Sequence, residues 1–387
     1  MLHLPRYVSS MRVALVYNQK KEDPIQQSQA DDENEPPSLA GEVFQPSLSN
    51  IHPQPILNSS SDIYAEWDTF ETIDAVRAAL AEFHEVSLIE ANEQAYVKLL
   101  TDRPDIVFNI AEGFNGVSRE AQIPAMLEML QIPYTGSDSL TLSICLDKSR
   151  AKEILSYYNV PTPRFTIISQ SSKVSQTNLK FPCIVKPLHE GSSKGIFNSS
   201  VVNNQAELER EVSVVVEKYR QPALIEEFLI GREFTVAILG NGDELTVLPI
   251  VEIKFDTLPA GVNPIYSYEA KWIWDRADAP LEIFSCPAKL SVSLQSEIES
   301  ICCKAYNILH CKDWCRIDVR LDSNSKPHII ELNPLPGILP KPEDNSCFPK
   351  AARAAGINYN RLIQTVLMLA AKRYGLVSDS SSHPSTN

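Results

Sequence analysis

The sequence predicts an N-terminal doubly wound α/β domain followed by an α+β unit in two parts, and three observations carry this prediction. Short apolar runs of β-type alternate with helical spacings as far as Leu146. Past Pro161 and Pro163 the strands come in closely spaced pairs separated by turn residues. The chain has 387 residues, 43% hydrophobic and 22% charged, which is enough for two or three cored domains.

Met11-Arg-Val-Ala-Leu-Val-Tyr-Asn18 is the kind of run that sits in a parallel sheet buried on both faces. Residues 19–62 are dominated by Gln, Ser, Asn, Pro, Asp and Glu and read as a polar, disordered insertion. Order resumes at Asp68, where Ile73, Val76, Leu80 and Phe83 give Thr69 to Glu85 helical spacing ahead of a strand at Val86-Ser-Leu-Ile89. Asp105-Ile-Val-Phe-Asn109 is a further buried strand, followed by a helix from Ala121 to Leu130, and the first domain is taken as 1–146. A helix from Asp147 to Tyr158 is closed by Pro161 and Pro163. Then come a strand at Phe181–Lys186, a helix at Gln205–Lys218, a strand at Ala223–Phe228, and a hairpin of Phe234–Leu239 with Leu245–Val251 across Gly240-Asn-Gly242. A second hairpin, Trp314–Leu321 with His328–Asn333, and a helix at Arg361–Arg373 complete two parts, 147–240 and 241–376, with a loose tail at 377–387.

A net charge of −14 argues against nucleic acid as a partner, because phosphate backbones are bound by basic surfaces. The eight cysteines form no paired Cys-x-x-Cys zinc motif and suit a reducing cytosol as free thiols. No apolar run reaches the roughly 20 residues needed to cross a bilayer, and the first ten residues lack a signal-peptide core. A cytoplasmic protein without a membrane partner is expected.

Four segments could carry chemistry. Strand alternation puts Arg316 and Asp318 on one face of Trp314–Leu321, and Glu331 and Asn333 on one face of the return strand. Same-face neighbours lie roughly 7 Å apart, so these oxygens converge on a hard cation only if the strands pair in a suitable register. Mg²⁺ held by carboxylates and substrate phosphates is one outcome; a solvated face with cross-strand ion pairs is the other. Lys186 leads into Pro187-Leu-His-Glu-Gly-Ser-Ser-Lys-Gly195, a loop able to wrap phosphate oxygens, although it is not a P-loop and an ordinary turn explains it equally. Glu226, Glu227 and Glu233 could read an adenosine or form an acidic turn. Lys148 is a further cation near a helix start or a solvated lysine.

The order of these segments is recognisable. Leu146-Asp-Lys-Ser-Arg150, Ile184-Val-Lys-Pro187, Glu190-Gly-Ser-Ser193, Gly231-Arg-Glu-Phe-Thr-Val236, Tyr268-Glu-Ala-Lys271, Arg316-Ile-Asp318, Glu331-Leu-Asn-Pro334 and Pro349-Lys-Ala-Ala-Arg-Ala-Ala-Gly356 closely resemble the D-alanine–D-alanine ligases of the ATP-grasp superfamily. The likeness runs from about Asp105 to Leu376. It implies a two-part ATP-grasp domain, with 147–240 as lid and 241–376 as core, and a carboxylate–amine ligase using ATP and two Mg²⁺ ions, with Mn²⁺ as an alternative. It implies that Lys148 and Lys186 contact ATP phosphates and that Ser192 and Lys271 contact the transferred one. Glu226, Glu227, Leu229 and Glu233 match adenine and ribose positions. Asp318, Glu331 and Asn333 match the metal ligands, and Arg316 with the Gly337 amide matches the oxyanion donors. The family is commonly dimeric, and its partners are small amino-acid-like substrates.

The sequence departs from the family around both substrate positions. The usual glycine pair and Ser-x-Glu after the first strand is absent, which leaves the place of its glutamate vacant; Glu112 and Glu120 are the substitute carboxylates, or else serve in capping or at the surface. The loop after Gly337 is longer and more charged, with Ser346 the best alignment to the serine that holds the second substrate, and Trp272 stands where tyrosine is common. Three readings follow: a ligase of D-alanine type, a ligase of specialised metabolism joining other amino-acid-like substrates, or a nucleotide-binding regulator without turnover.

Overall fold

The computed structural model describes residues 10–20, 66–170, 174, 177–275 and 281–377, with Trp272 described in its backbone alone. Of the insertion expected over 19–62, Gln19 pairs with Asp68 in a parallel bridge and the stretch from 21 lies outside the described residues, as does the loose tail from 378.

The first layer is a parallel three-stranded sheet, β1 (Arg12–Tyr17) flanked by β2 (Glu85–Glu90) and β3 (Ile106–Asn109), with β1 in the middle. Val13 and Leu15 bury themselves with α1 (Phe70–Ala81), whereas Ala14 and Val16 pack among residues of α2 (Ala95–Asp102) and α3 (Gln122–Leu130), so alternation along one strand fills two cores. Thr69 caps α1 by accepting from the Thr72 amide, a contact of about 1 kcal/mol. α4 (Ser139–Leu146) and α5 (Lys148–Tyr157) follow, and Asp147 caps α5 through the amides of Ser149 and Arg150.

A four-stranded antiparallel sheet comes next, built from β4 (Phe165–Ile168), β5 (Cys183–Pro187), β6 (Val201–Val202) and β7 (Ala223–Glu227) in the order β4-β7-β5-β6, with α6 (Gln205–Lys218) on one face. The largest sheet holds β8 (Glu233–Asn241), β9 (Glu244–Val247), β10 (Val251–Ile253) and β11 (Phe284–Ser285). After α7 (Val292–Ile308) it is completed by the hairpin β12 (Trp314–Leu321) and β13 (Pro327–Asn333). α8 (Cys347–Ala354) and α9 (Tyr359–Arg373) close the chain. Trp314, fully buried, meets Phe108 and Phe348 edge-on at 5.8 Å each, joining the first domain to the large sheet and α8.

Two departures from the sequence expectation concern this sheet. The expected strand over Leu245–Val251 divides into β9 and β10, because Pro249 has no N–H to continue a ladder. β8 lies between β10 and β12 in the large sheet, so a strand that falls inside 147–240 pairs with the strands of 241–376.

Candidate active site

A cavity of about 420 Å³ opens between the four-stranded sheet and the large sheet, and a smaller one of about 110 Å³ adjoins it towards the first domain. The larger is lined by Lys148, Lys186, Ser192, Glu226, Glu227, Leu229, Glu233, Lys271, Arg316, Asp318, Glu331, Gly337 and Ser346. The smaller adds Glu112, Glu120 and Asn333. Of the residues singled out in the sequence, only Trp272 is unplaced; it lies in the turn Ala270–Trp274 and its side chain is outside the described residues.

The β12–β13 register settles the convergence question. Asp318 stands directly opposite Glu331 and Arg316 opposite Asn333, with a bulge just after Asp318. Arg316 donates through Nε and Nη2 to the two oxygens of Asp318 at 3.1 and 3.0 Å, while Thr235 and Asn333 also donate to that carboxylate, at 2.7 and 3.3 Å. Burial pushes the Asp318 carboxyl up and Glu331 adds to this against Arg316. Burial acts on Glu331 in the same sense, but Lys148, Lys186 and Arg316 outweigh it and hold the carboxyl down. Two carboxylates and an amide oxygen on one wall of a cavity suit a hard cation that takes its remaining ligands from water and phosphate. The donor set therefore fits Mg²⁺ or Mn²⁺.

Lysines surround this wall. Lys148, at the first turn of α5, donates to the Glu190 carbonyl at 2.5 Å and lies 3.6 Å from Glu331. Lys186 donates to Glu226 at 2.7 Å. Burial, with the neighbouring Arg316 charge, lowers Lys271 to about 8. The Glu190–Gly195 loop turns through left-handed backbone at Ser192 (φ 49°) and Ser193 (φ 60°). Its Ser193 hydroxyl donates to the Tyr266 carbonyl at 2.8 Å, and the Tyr268 amide donates to Ile196 at 2.7 Å, so the loop is fastened to the segment carrying Lys271.

Two acidic positions lining the larger cavity differ in their partners. Glu227 accepts from Arg164 at 3.2 Å, Glu233 from Arg320 at 2.6 Å, and Leu229 lies in the turn between β7 and β8. The Ser346 hydroxyl donates to the Gly337 carbonyl and accepts from the Leu339 amide, both at 3.2 Å, which folds the long loop back on itself ahead of α8.

A family model described as the D-ala D-ala ligase C-terminus matches residues 154–368. The chain belongs to the D-alanine–D-alanine ligase family. It is 33% identical over 301 residues to the D-alanine–D-alanine ligase of Xanthomonas axonopodis pv. citri, covering 76% of this chain and 86% of that one. It is 37% identical over 317 residues to the protein y4sG of Sinorhizobium fredii, covering 80% of this chain and 90% of that one. The D-alanine–D-alanine ligase of Bacillus anthracis, crystallised with ATP, superposes with a TM-score of 0.65 at 22% identity over 95% of this chain and 99% of that one, which is the ATP-grasp fold.

Against this D-alanine–D-alanine ligase-like frame, the sequence left a vacancy after the first strand, and the structure brings further carboxylates to the two cavities. Glu66, immediately before α1, accepts from Arg119 through both oxygens at 2.7 and 2.9 Å and from the Gly191 amide at 2.7 Å. Arg119 also donates to the His189 carbonyl at 2.7 Å, so one buried guanidinium ties Glu66 to the loop. Asp68 lies beside Glu66 in both cavities, and burial pushes its carboxyl up to about 7. Glu120 is raised to about 7, burial acting foremost, and Glu112 is raised by burial and by Glu120. Sequence reasoning missed Glu66, Asp68 and Arg119. The available signal was Thr69, whose capping position dates the start of α1 and so places two acids at the C-terminal edge of the first sheet.

Proposed function

We propose that this ATP-grasp ligase joins a carboxylate to an amine at the expense of ATP, with amino-acid-like substrates that need not be two D-alanines. The single observation carrying the proposal is the shared wall of Arg316, Asp318, Glu331 and Asn333 facing the lysine-lined cavity. A carboxylate oxygen of the first substrate attacks the γ-phosphorus of ATP, the bond to the β–γ bridging oxygen breaks, and ADP leaves an acyl phosphate. The unprotonated amine of the second substrate attacks the acyl carbon, an oxyanion forms, and phosphate departs with the C–O bond pair and takes up the proton that the nitrogen gives up as the amide forms.

In this proposal Lys148 and Lys186 neutralise the phosphates of ATP, and Glu226, Glu227, Leu229 and Glu233 read adenine and ribose. Ser192 and Lys271 hold the transferred phosphoryl group. Asp318, Glu331 and Asn333 would hold two Mg²⁺ ions, which supply charge compensation on the phosphates. Arg316, which binds both oxygens of Asp318 on the same wall, and the Gly337 amide would be the two donors to the oxyanion. The Glu190–Gly195 loop and the segment around Lys271 act as lids that keep water from the acyl phosphate. Ser346 orients the second substrate. Glu66, Asp68, Glu112 and Glu120 favour a first substrate that presents positive charge at its far end.

We draw the lid–core boundary ahead of Glu233, a reading that the pairing of β8 with the large sheet supports. All eight cysteines are free, in keeping with a cytoplasmic home. No helix among the described residues is long and apolar enough to cross a membrane. A homodimer is the family's usual assembly and is checked by light scattering.

The deciding experiment is a panel of D- and L-amino acids with ATP and Mg²⁺, scored by ADP and phosphate release and by product mass. Release matched by a new amide mass upholds the ligase, and the productive pair names its substrates. ATP binding without release from any pair identifies a regulator instead.

A further inference from the structure

Lys152, on α5, is buried, lines neither cavity, and takes no part in the chemistry described above. Its amino group lies 2.7 Å from Glu226 Oε1 and donates to Thr162 Oγ1 at 2.7 Å, and the Thr162 hydroxyl donates in turn to the Ile329 carbonyl at 2.9 Å. On the opposite oxygen of the same carboxylate, Lys186 Nζ sits at 2.7 Å. One carboxylate, 1% exposed, thus stands between two ammonium groups, and only Lys186 of the two reaches the cavity wall.

The charges do not cancel. Glu226 has two ammonium neighbours where one would compensate it; burial and Lys186 act to lower Lys152 while Glu226 opposes them, and of the two lysines Lys186 is the one on the cavity side. Lys152 is tied to Glu226 and, through Thr162, to β13, whereas Lys186 has Glu226 as its hydrogen-bond acceptor. Burial alone would lower Lys186, but Glu226 and Glu331 outweigh it and keep the group charged. A buried carboxylate stripped of its last counter-ion is costly, so Lys186 could not leave a simple pair for another anion without a large penalty. With Lys152 in place, Glu226 stays compensated when Lys186 moves.

We infer that Lys152 is a positioning residue: it stays on Glu226 as a fixed counter-charge and thereby releases Lys186 to the phosphates of the nucleotide. The inference rests on the ligase proposal for the presence of a nucleotide and adds a residue and a role to it. Without Lys152, Glu226 and Lys186 close into a neutral pair facing the adenine side, and the phosphates lose a cation while the base keeps its contacts.

The test measures equilibrium binding of ADP and of adenosine to the full chain in Mg²⁺ buffer, with thermal unfolding of every variant alongside. Lys152→Met is expected to weaken ADP by about 10- to 100-fold and adenosine by less than about threefold. In a Glu226→Gln background, where Lys186 has no carboxylate to close on, adding Lys152→Met should change ADP affinity by less than about threefold relative to Glu226→Gln alone. Equal losses for ADP and adenosine, an unchanged ADP affinity in Lys152→Met, or a further loss of about tenfold on adding Lys152→Met to Glu226→Gln would each overturn the role. If Lys152→Met does not fold, Lys152→Gln stands in for it with the same expected losses and the same overturning results. Failure of the natural chain to bind ADP at all strikes the ligase proposal first, and is distinguished by being seen before any substitution.

Discussion

Asp318 and Glu331 face one another across the β12–β13 ladder, two carboxylates in direct register on the wall of a cavity. Like charges placed opposite each other in a sheet are destabilising unless something positive intervenes. Arg316 does so for Asp318, and Lys148 at 3.6 Å does so for Glu331. Removal of divalent ions with a chelator should therefore stop phosphate release, and Mg²⁺ or Mn²⁺ should restore it. Asp318→Asn should lower turnover by about 100-fold or more and raise the Mg²⁺ concentration needed for half-maximal rate. Unchanged Mg²⁺ dependence in that variant would remove Asp318 from the metal site.

Arg316 is joined to the acidic wall rather than to Lys148 or Lys186, so on the proposed roles its loss should separate binding from chemistry. Arg316→Ala is expected to keep ADP affinity within about threefold while amide formation falls by about 10³-fold, the scale of a lost oxyanion donor. Isothermal calorimetry and product mass spectrometry read the two quantities. Normal amide yield would refute the assignment.

Lys271 supplies a pH dependence. Burial and Arg316 bring its ammonium down to about 8, so it is charged below that pH and neutral above it. On its proposed role the charge is what holds the transferred phosphoryl group, so kcat/KM, which reports the free enzyme, should fall on an alkaline limb centred near pH 8. Lys271→Arg holds its charge throughout and should carry the limb beyond about pH 10, even if the rate at neutral pH drops. A limb that stays at the same pH in the arginine variant would assign it to another group.

Much of this site was legible in the chain because its residues lie on regular strands. Alternation alone put Arg316 with Asp318 and Glu331 with Asn333; what it could not supply was the register, which the turn at Asp322–Lys326 and the bulge after Asp318 set. The helices at 95–102, 139–146 and 347–354 went unread because they are short, and α7 because its apolar face is broken by Ser, Gln and Glu. Glu66 and Arg119 were invisible for a different reason. Their pairing joins positions 53 residues apart, across α1, β2, α2 and β3, and no local pattern records it. Lys152 was hidden by type: a lysine on a helix reads as solvated until a buried carboxylate is seen beside it.

The Glu66–Arg119 pair should matter both to stability and to substrate. Each side chain is only 10% exposed, and removing one partner of such a pair costs about 3–5 kcal/mol. Arg119→Met should accordingly lower the unfolding midpoint and, by loosening Glu66 and the His189 carbonyl, raise KM for the first substrate more than KM for ATP. Gly191→Ala provides a gentler perturbation, since an added Cβ would come within 2.4 Å of Glu66 Oε1. A KM for ATP that rises as much as that of the first substrate would show that the pair serves the fold or the loop generally.

Asp68 gives the last prediction, and its sign differs from that of most carboxylates. Burial raises its pKa to about 7, so the folded chain holds the proton more tightly than the unfolded chain does. The associated stability is present at acid pH, is lost as pH rises from the ordinary carboxylate range towards 7, and is gone above it. Glu120, also raised to about 7, works in the same direction, so Asp68→Asn removes part of the effect. At pH 8 the asparagine variant should melt about 2 to 4 °C above the natural chain, and near pH 4 the two should coincide. The difference should shrink when the first substrate is bound, because a cationic group beside Asp68 lowers its pKa and restores the lost stability. An asparagine variant that melts lower at pH 8, or differs by the same amount at every pH, would mean that Asp68 is charged and paired in the folded protein.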